Sequence, residues 1–189
     1  MKKGIPLFVA VVTLGLSLSF LPKAEAMMFR CLDMPALAQA AATHNSMCVK
    51  VRVTAVQDTD VTVDILDVIK TGPGTNVAAG SSKTFHFPSS TGFQTVNLPK
   101  TPAFAVGAVE VWCITQNARG DWIPVGGWEQ ARFYVTNIGG QETLYNSMGN
   151  SCLINYSSQN SAMKKAVQFV TEHNTSAFPI DAFKEGLNQ

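Results

Sequence analysis

The chain has 189 residues, of which 14 are basic and 13 acidic, for a formal net charge of +1 with neutral histidines. So small a charge lacks the electrostatic footprint that phosphate neutralisation requires, which argues against nucleic acid and against a strongly anionic membrane surface as partners. The length suits one domain with a real core.

The first 26 residues read as a secretory signal peptide. Lys2 and Lys3 give a positive start, residues 5–21 form an apolar run without charge, and Ala24-Glu25-Ala26 offers the small–x–small pattern of a signal-peptidase site. A retained anchor is the alternative, since about 20 apolar residues span a bilayer. Against it, Gly15, Ser17 and Ser19 dilute the run and Pro22 breaks it. Arg30 directly before Cys31 does not fit a lipobox. Loss of residues 1–26 removes Lys2, Lys3, Lys23 and Glu25, leaving 11 basic and 12 acidic residues and a net charge of −1. The expected product is a single β-rich domain, residues 27–189, secreted or periplasmic and without a stable membrane span.

Residues 33–43 predict a short helix, with Pro35 near its first turn and an alanine-rich run behind it. Cys48-Val49-Lys50-Val51-Arg52-Val53-Thr54 then alternates strictly, valines on one face and polar residues on the other, as a half-buried strand does. Gln57-Asp58-Thr59-Asp60 supplies a turn, and a second alternating strand at 61–69 completes a hairpin. Thr71-Gly72-Pro73-Gly74 ends it. A small-residue loop leads to a short strand at 83–87, with Phe85 and Phe87 on one side, and 88–105 reads as an irregular surface connection. Further strands follow at 106–116, 122–125, 131–137 and 142–145, separated by turns at 117–121, Gly126-Gly127 and Gly139-Gly140.

In 161–172 the period changes to a helical one, with Ala162, Met163, Ala166, Val167 and Val170 on a single stripe. A last short helix is expected from Asp181, as N-cap, to Lys184, with Gly186 close to its end. No internal repeat and no sharp composition break divides the chain. The fold class expected is mainly β: a small OB-like β-barrel or sandwich over about 44–146, with a short N-terminal helix and a C-terminal helical segment at about 158–187.

The four cysteines, Cys31, Cys48, Cys113 and Cys152, lie far apart with no Cys-x-x-Cys pair. That weakens metal-knuckle and thioredoxin-type readings and favours two structural disulfides in an oxidising compartment. Cys31–Cys152 with Cys48–Cys113, and Cys31–Cys48 with Cys113–Cys152, are both open. No metal or other cofactor is expected.

Other chemical signals are weak. In the loop 74–83, Gly74 and Gly80 enclose five residues and two serines precede Lys83, which breaks the P-loop spacing. Asp58 and Asp60, with Asp64 and Asp67 beyond, are too few in the turn for a calcium loop and read as turn formers and edge charges. His44, His86 and His173 are not in His-Glu-x-x-His spacing, and no Gly-x-Ser-x-Gly elbow occurs. No catalytic residue is therefore assigned. Trp112, Trp122 and Trp128 are candidates for a protein or glycan contact surface, Trp112 sharing its strand parity with Glu110; the competing reading places them in the core.

Residues 44–146 resemble a group of bacterial secreted proteins of unknown role. The resemblance lies in His44-Asn45-Ser46-Met47-Cys48-Val49-Lys50-Val51-Arg52-Val53 and Val63-Asp64-Ile65-Leu66-Asp67-Val68-Ile69-Lys70-Thr71-Gly72. Pro102-Ala103-Phe104-Ala105-Val106-Gly107-Ala108 and Val125-Gly126-Gly127-Trp128-Glu129-Gln130-Ala131-Arg132-Phe133 also fit. The order is similar to that of tissue-inhibitor-of-metalloproteinase and netrin-like modules, which implies an OB-type five-stranded barrel. True inhibitors of that type begin at a cysteine whose amino group and carbonyl reach the protease zinc. Cleavage after Ala26 would leave Met27 first and Cys31 four residues on, so the zinc-chelating wedge does not carry over. The expectation is a secreted, disulfide-stapled, non-catalytic binding or accessory module of the cell envelope, contacting another protein or a glycan. Modulation or inhibition of an extracellular protease is the alternative, and an envelope hydrolase comes third.

Overall fold

The structure is a computed structural model that describes residues 32–87, 104–125, 131–146, 153 and 161–189. The leader expected at 1–26, Cys31, Cys152, Trp128 and most of the connection expected at 88–105 lie outside these residues.

Among the described residues, eight strands form one antiparallel sheet: β1 (Ser46–Gln57), β2 (Asp60–Thr71), β3 (Ser82–His86), β4 (Val109–Gln116), β5 (Trp122–Pro124), β6 (Arg132–Ile138), β7 (Gln141–Tyr145) and β8 (Phe178–Pro179). The neighbour order is β3-β2-β1-β4-β6-β7-β8, with β5 beside β4. The mainly-β expectation holds. Among the described residues, however, the sheet is not closed into a barrel: its path starts at β3 and stops at β8. The β8 end is two residues long and includes Pro179, which cannot donate a ladder hydrogen bond.

The hairpin is longer than its strictly alternating stretches suggest, 12 residues a side. Gln57 pairs with Asp60, so Asp58 and Thr59 alone make the turn, and Asp58 takes a positive φ of 51°. The register shifts three times along β1 and β2. At one shift Lys50 pairs with Asp67 and Val51 with Ile65, so Leu66 is the extra residue. This changes the parity of β2 and puts both Ile65 and Val68 against the same apolar cluster. Such bulges bend and twist a strand. Just past β2 the chain runs close to the segment after α1, and only glycine fits at 72, where a Cβ would lie 1.7 Å from the Thr43 carbonyl oxygen.

Among the described residues, three helices accompany the sheet: α1 (Met34–Ala41), α2 (Ser161–Glu172) and α3 (Ile180–Leu187). Asp33 caps α1, its carboxylate accepting from the Ala36 N–H at 2.9 Å. The α2 stripe is Ala162, Met163, Ala166 and Phe169, whereas Val167 is exposed; the buried stripe includes a phenylalanine that the expected set omits. α3 also departs from expectation. Its N-cap is Pro179, Asp181 sits in its first turn, and it runs through Gly186 to Leu187. Gly186 serves packing here, not helix termination: a Cβ on it would come within 3.0 Å of Met34 Cγ and 3.1 Å of Met163 Cε.

The buried side chains form two clusters. Met34, Leu37 and Ala41 of α1, with residues of α2 and α3, pack on Cys48, Val111, Cys113, Phe133 and Leu144. The second cluster unites Met47, Val49, Val51 and Val53 of β1 with Val61, Val63 and Ile65 of β2, Phe85, Trp112, Ile114 and Trp122. Alternation along β1 and β4 assigns neighbouring residues to different clusters, so each strand contributes to both faces of the sheet. Among the described residues no helix is long and apolar enough to cross a membrane.

Candidate functional site

β4 carries the features that chemistry could use. Its odd-numbered Val111 and Cys113 enter the helix-covered cluster, and its even-numbered Trp112 and Ile114 enter the aromatic one. On the helix side Cys113 lies directly opposite Cys48 of β1 in the ladder, with Cα atoms 4.0 Å apart, and the two form a disulfide. The pairing Cys31–Cys48 is thereby overturned. Cross-strand opposition, not nearness in sequence, selects the partner. Both sulfur-bearing residues are fully buried.

On the aromatic side a buried ion pair joins β4 to β6. Arg132 Nε donates to Glu110 Oε2 at 2.7 Å and Arg132 Nη2 to Oε1 at 2.9 Å, a two-point contact of planar guanidinium with carboxylate. Trp112 Nε1 donates to the same Oε2 at 2.6 Å. The ladder explains the geometry. Trp112 faces Arg132 and Glu110 faces Tyr134, so Arg132 reaches Glu110 along the diagonal. The guanidinium carbon lies 4.1 Å from the centre of the Phe104 ring and 5.2 Å from that of Tyr134. Asn146 Nδ2 donates to the Arg132 carbonyl at 2.9 Å. Side-chain exposure is 0% for Glu110 and 4% for Arg132.

Of the two readings of Trp112 and Trp122, the core one holds and the contact-surface one does not. Trp112 shares parity with Glu110, as its position in the strand requires, but both point inward; Trp112 is 1% exposed. Glu110 is neutralised by Arg132 and therefore does not mark the solvent side. Trp112 meets Phe85, Phe87 and Phe104 edge-on, with centroids 5.9, 5.4 and 5.3 Å away. Trp122, 9% exposed, packs at right angles on Phe85, and Lys83 Nζ sits 5.5 Å from both of those rings.

The Glu110 carboxylate accepts three hydrogen bonds, from Arg132 Nε and Nη2 and from Trp112 Nε1. The histidines lie in separate places. His173 stacks on Phe169 at 4.1 Å near the end of α2. His44 is exposed beside Gly74. His86 Nδ1 lies 2.6 Å from Asp60 Oδ1 and 3.3 Å from Thr59 Oγ1. Because the carboxylate and the hydroxyl share one ring nitrogen, this trio lacks the nucleophile–base–carboxylate order of a triad.

The four aspartates of the hairpin also disperse. Asp60 engages His86, Asp64 sits opposite Arg52 in the ladder, and Asp67 pairs with Lys184 at 2.6 Å. Among the described residues no group of three or more His, Cys, Asp or Glu side chains converges as a metal site would. In the loop 74–83, the Gly80 N–H donates to the Ile65 carbonyl, so this amide ties the loop to β2.

Sequence reasoning missed the Glu110–Arg132 pair, although a signal was there. Each residue is a lone charge in an otherwise apolar strand segment, and the two charges are opposite. No family model matches the chain, and no curated protein matches its sequence.

Proposed function

We propose that the protein is an exported, disulfide-stapled, non-catalytic binding or accessory module of the cell envelope, released from its leader after Ala26, with another protein or a glycan as partner. The observation that carries this reading is the Cys48–Cys113 disulfide, buried in the core between two adjacent strands. Disulfides persist in oxidising compartments and are rare where cellular thiols are kept reduced. The engaged oxygens of Glu110 and the divided histidines support a non-catalytic role. An OB-type curl is supported by the long, bulged β1, which is shared between β2 and β4.

Expression of the full chain with its own leader in a bacterium tests the reading. Mass analysis of the exported fraction should show a chain starting at Met27 with no free thiol. A full-length chain retained in the cytoplasm with four free thiols would overturn it. Crosslinking in the intact envelope then tests the binding role: a discrete adduct supports it, and recovery of the protein solely as uncrosslinked monomer counts against it.

A further inference from the structure

We propose that Asn174 is an acceptor for N-linked glycosylation by an oligosaccharyltransferase that uses a lipid-linked diphospho-oligosaccharide as donor. The proposal rests on the reading of the chain as exported, since such transferases act outside the cytoplasm. Asn174-Thr175-Ser176 has the Asn-x-Ser/Thr form with x other than proline. Glu172 adds an acidic side chain two residues before the asparagine, which satisfies the stricter Asp/Glu-x-Asn-x-Ser/Thr acceptor pattern. Of the described asparagines, Asn174 alone is followed at the second position by serine or threonine.

The structure places this pattern where a transferase could reach it. It spans the end of α2 and the link to β8, and Glu172, Asn174 and Ser176 are all exposed. Asn174 holds a positive φ of 45°, and its backbone N–H donates to the Thr171 carbonyl at 3.4 Å. Among the described residues its carboxamide has no hydrogen-bond partner. The carboxamides of Asn117, Asn137, Asn146 and Asn188 are engaged, whereas those of Asn45 and Asn76, like that of Asn174, are not, and neither Asn45 nor Asn76 is followed at the second position by serine or threonine. The left-handed backbone by itself is explained by helix termination, which favours glycine or asparagine. Termination needs neither the free carboxamide nor Ser176 nor Glu172.

In the transfer, Asn174 Nδ2 attacks the anomeric carbon of the donor sugar and forms a C–N bond. The bond from that carbon to the phosphate oxygen breaks, and its electron pair leaves with the lipid diphosphate. Nδ2 gives up one proton to a base of the transferase. No oxidant or reductant is needed.

The test uses the folded chain without residues 1–26, a purified bacterial-type oligosaccharyltransferase and its lipid-linked donor. A synthetic peptide containing residues 170–178 serves as the reference acceptor in a parallel reaction. With a transferase that requires the acidic residue, which the other triplet Asn155-Tyr156-Ser157 lacks because Leu153 stands at that place, intact mass should rise by one glycan, and the tryptic peptide 166–184 should carry it. Asn174→Gly preserves the positive-φ backbone and should lose the increment with an unchanged thermal midpoint. Ser176→Ala should lose it too, and Glu172→Gln should reduce it at least tenfold with a transferase that requires the acidic residue. An unmodified folded protein beside a modified peptide would overturn the proposal, as would an unmodified peptide or an increment that survives in Asn174→Gly. Because the assay bypasses export, its failure is distinct from a failure of the exported-module reading.

Discussion

The face of the sheet beneath the helices and the face that carries Glu110 are both closed to water, by different means. Under the helices the seal is apolar: Met34, Met163, Phe133, Phe178 and Phe183 pack around the Cys48–Cys113 disulfide. Charges stay at the rim, where Lys50 meets Glu142 at 2.7 Å and Lys184 meets Asp67. On the other face an ion pair lies inside the aromatic cluster. Apolar packing with methionine can adjust to small changes in volume. A buried charge has no such latitude, because removing its partner leaves it desolvated and uncompensated. The pair also discriminates register. β4 and β6 share just three paired positions, and a one-residue slip would turn Arg132 toward the helix side.

The largest expected effect follows from that contrast. Glu110→Ala or Arg132→Ala alone should lower the unfolding free energy by about 3–5 kcal/mol in a urea titration. The paired change Glu110→Leu with Arg132→Met should recover most of the loss. Equal losses for the single and paired variants would show that the aromatic face needs the charges themselves.

Next comes the helix-side staple. Cys48 and Cys113 are 65 residues apart in sequence, and replacing them with alanine and valine should cost about 2–4 kcal/mol in the same titration. A cost below about 0.5 kcal/mol would mean that packing alone holds this face.

Gly186→Ala probes how far that packing yields. Alanine gains about 1 kcal/mol of helix propensity over glycine, while its Cβ presses on the movable ends of Met34 and Met163. The two effects oppose each other, so the thermal midpoint should stay close to that of the unaltered chain. A fall of more than about 4 °C, roughly what 1–2 kcal/mol produces in a domain of this size, would show that the methionines cannot move.

The smallest effect lies outside both seals. The side-chain hydrogen bond from Lys165, 2.9 Å from Glu185, holds that carboxyl below the ordinary glutamate range, helped by the lysine charge and by Ser161 and Gln189. The native state therefore favours the ionised form. Its contribution to stability is present above the unfolded-state pKa and disappears as the pH falls through the lowered folded-state value. In a carboxyl-detected NMR titration Lys165→Met should return Glu185 toward ordinary behaviour. An unchanged titration would remove Lys165 as the cause.

Much of the framework was legible because its signals are local. Strict alternation in Cys48–Thr54 and in the strand after Asp60 needs no partner to be read as a half-buried hairpin. Pro35 near the first turn and the alanine-rich run behind it announced the helix over 33–43 for the same reason, since both signals lie within the helix itself. The site was less legible. Glu110 suggested an outward face for Trp112, because a charge in a strand ordinarily marks solvent, and its neutralising partner lies 22 residues away. Gly186 suggested a helix end, because nothing nearby in sequence shows that Met34 and Met163 converge on it.

Repeat period, turn residues and helix signals act over a few neighbouring residues, so the hairpin, the run of short strands and the flanking helices follow from local sequence. Tertiary structure alone decided that Cys48 bonds Cys113, that Glu110 and Arg132 are buried together, and that the described sheet stays open with helices against one face. Each of those outcomes depends on which distant residues oppose one another across a ladder. That opposition is settled by register and burial, which no local pattern encodes.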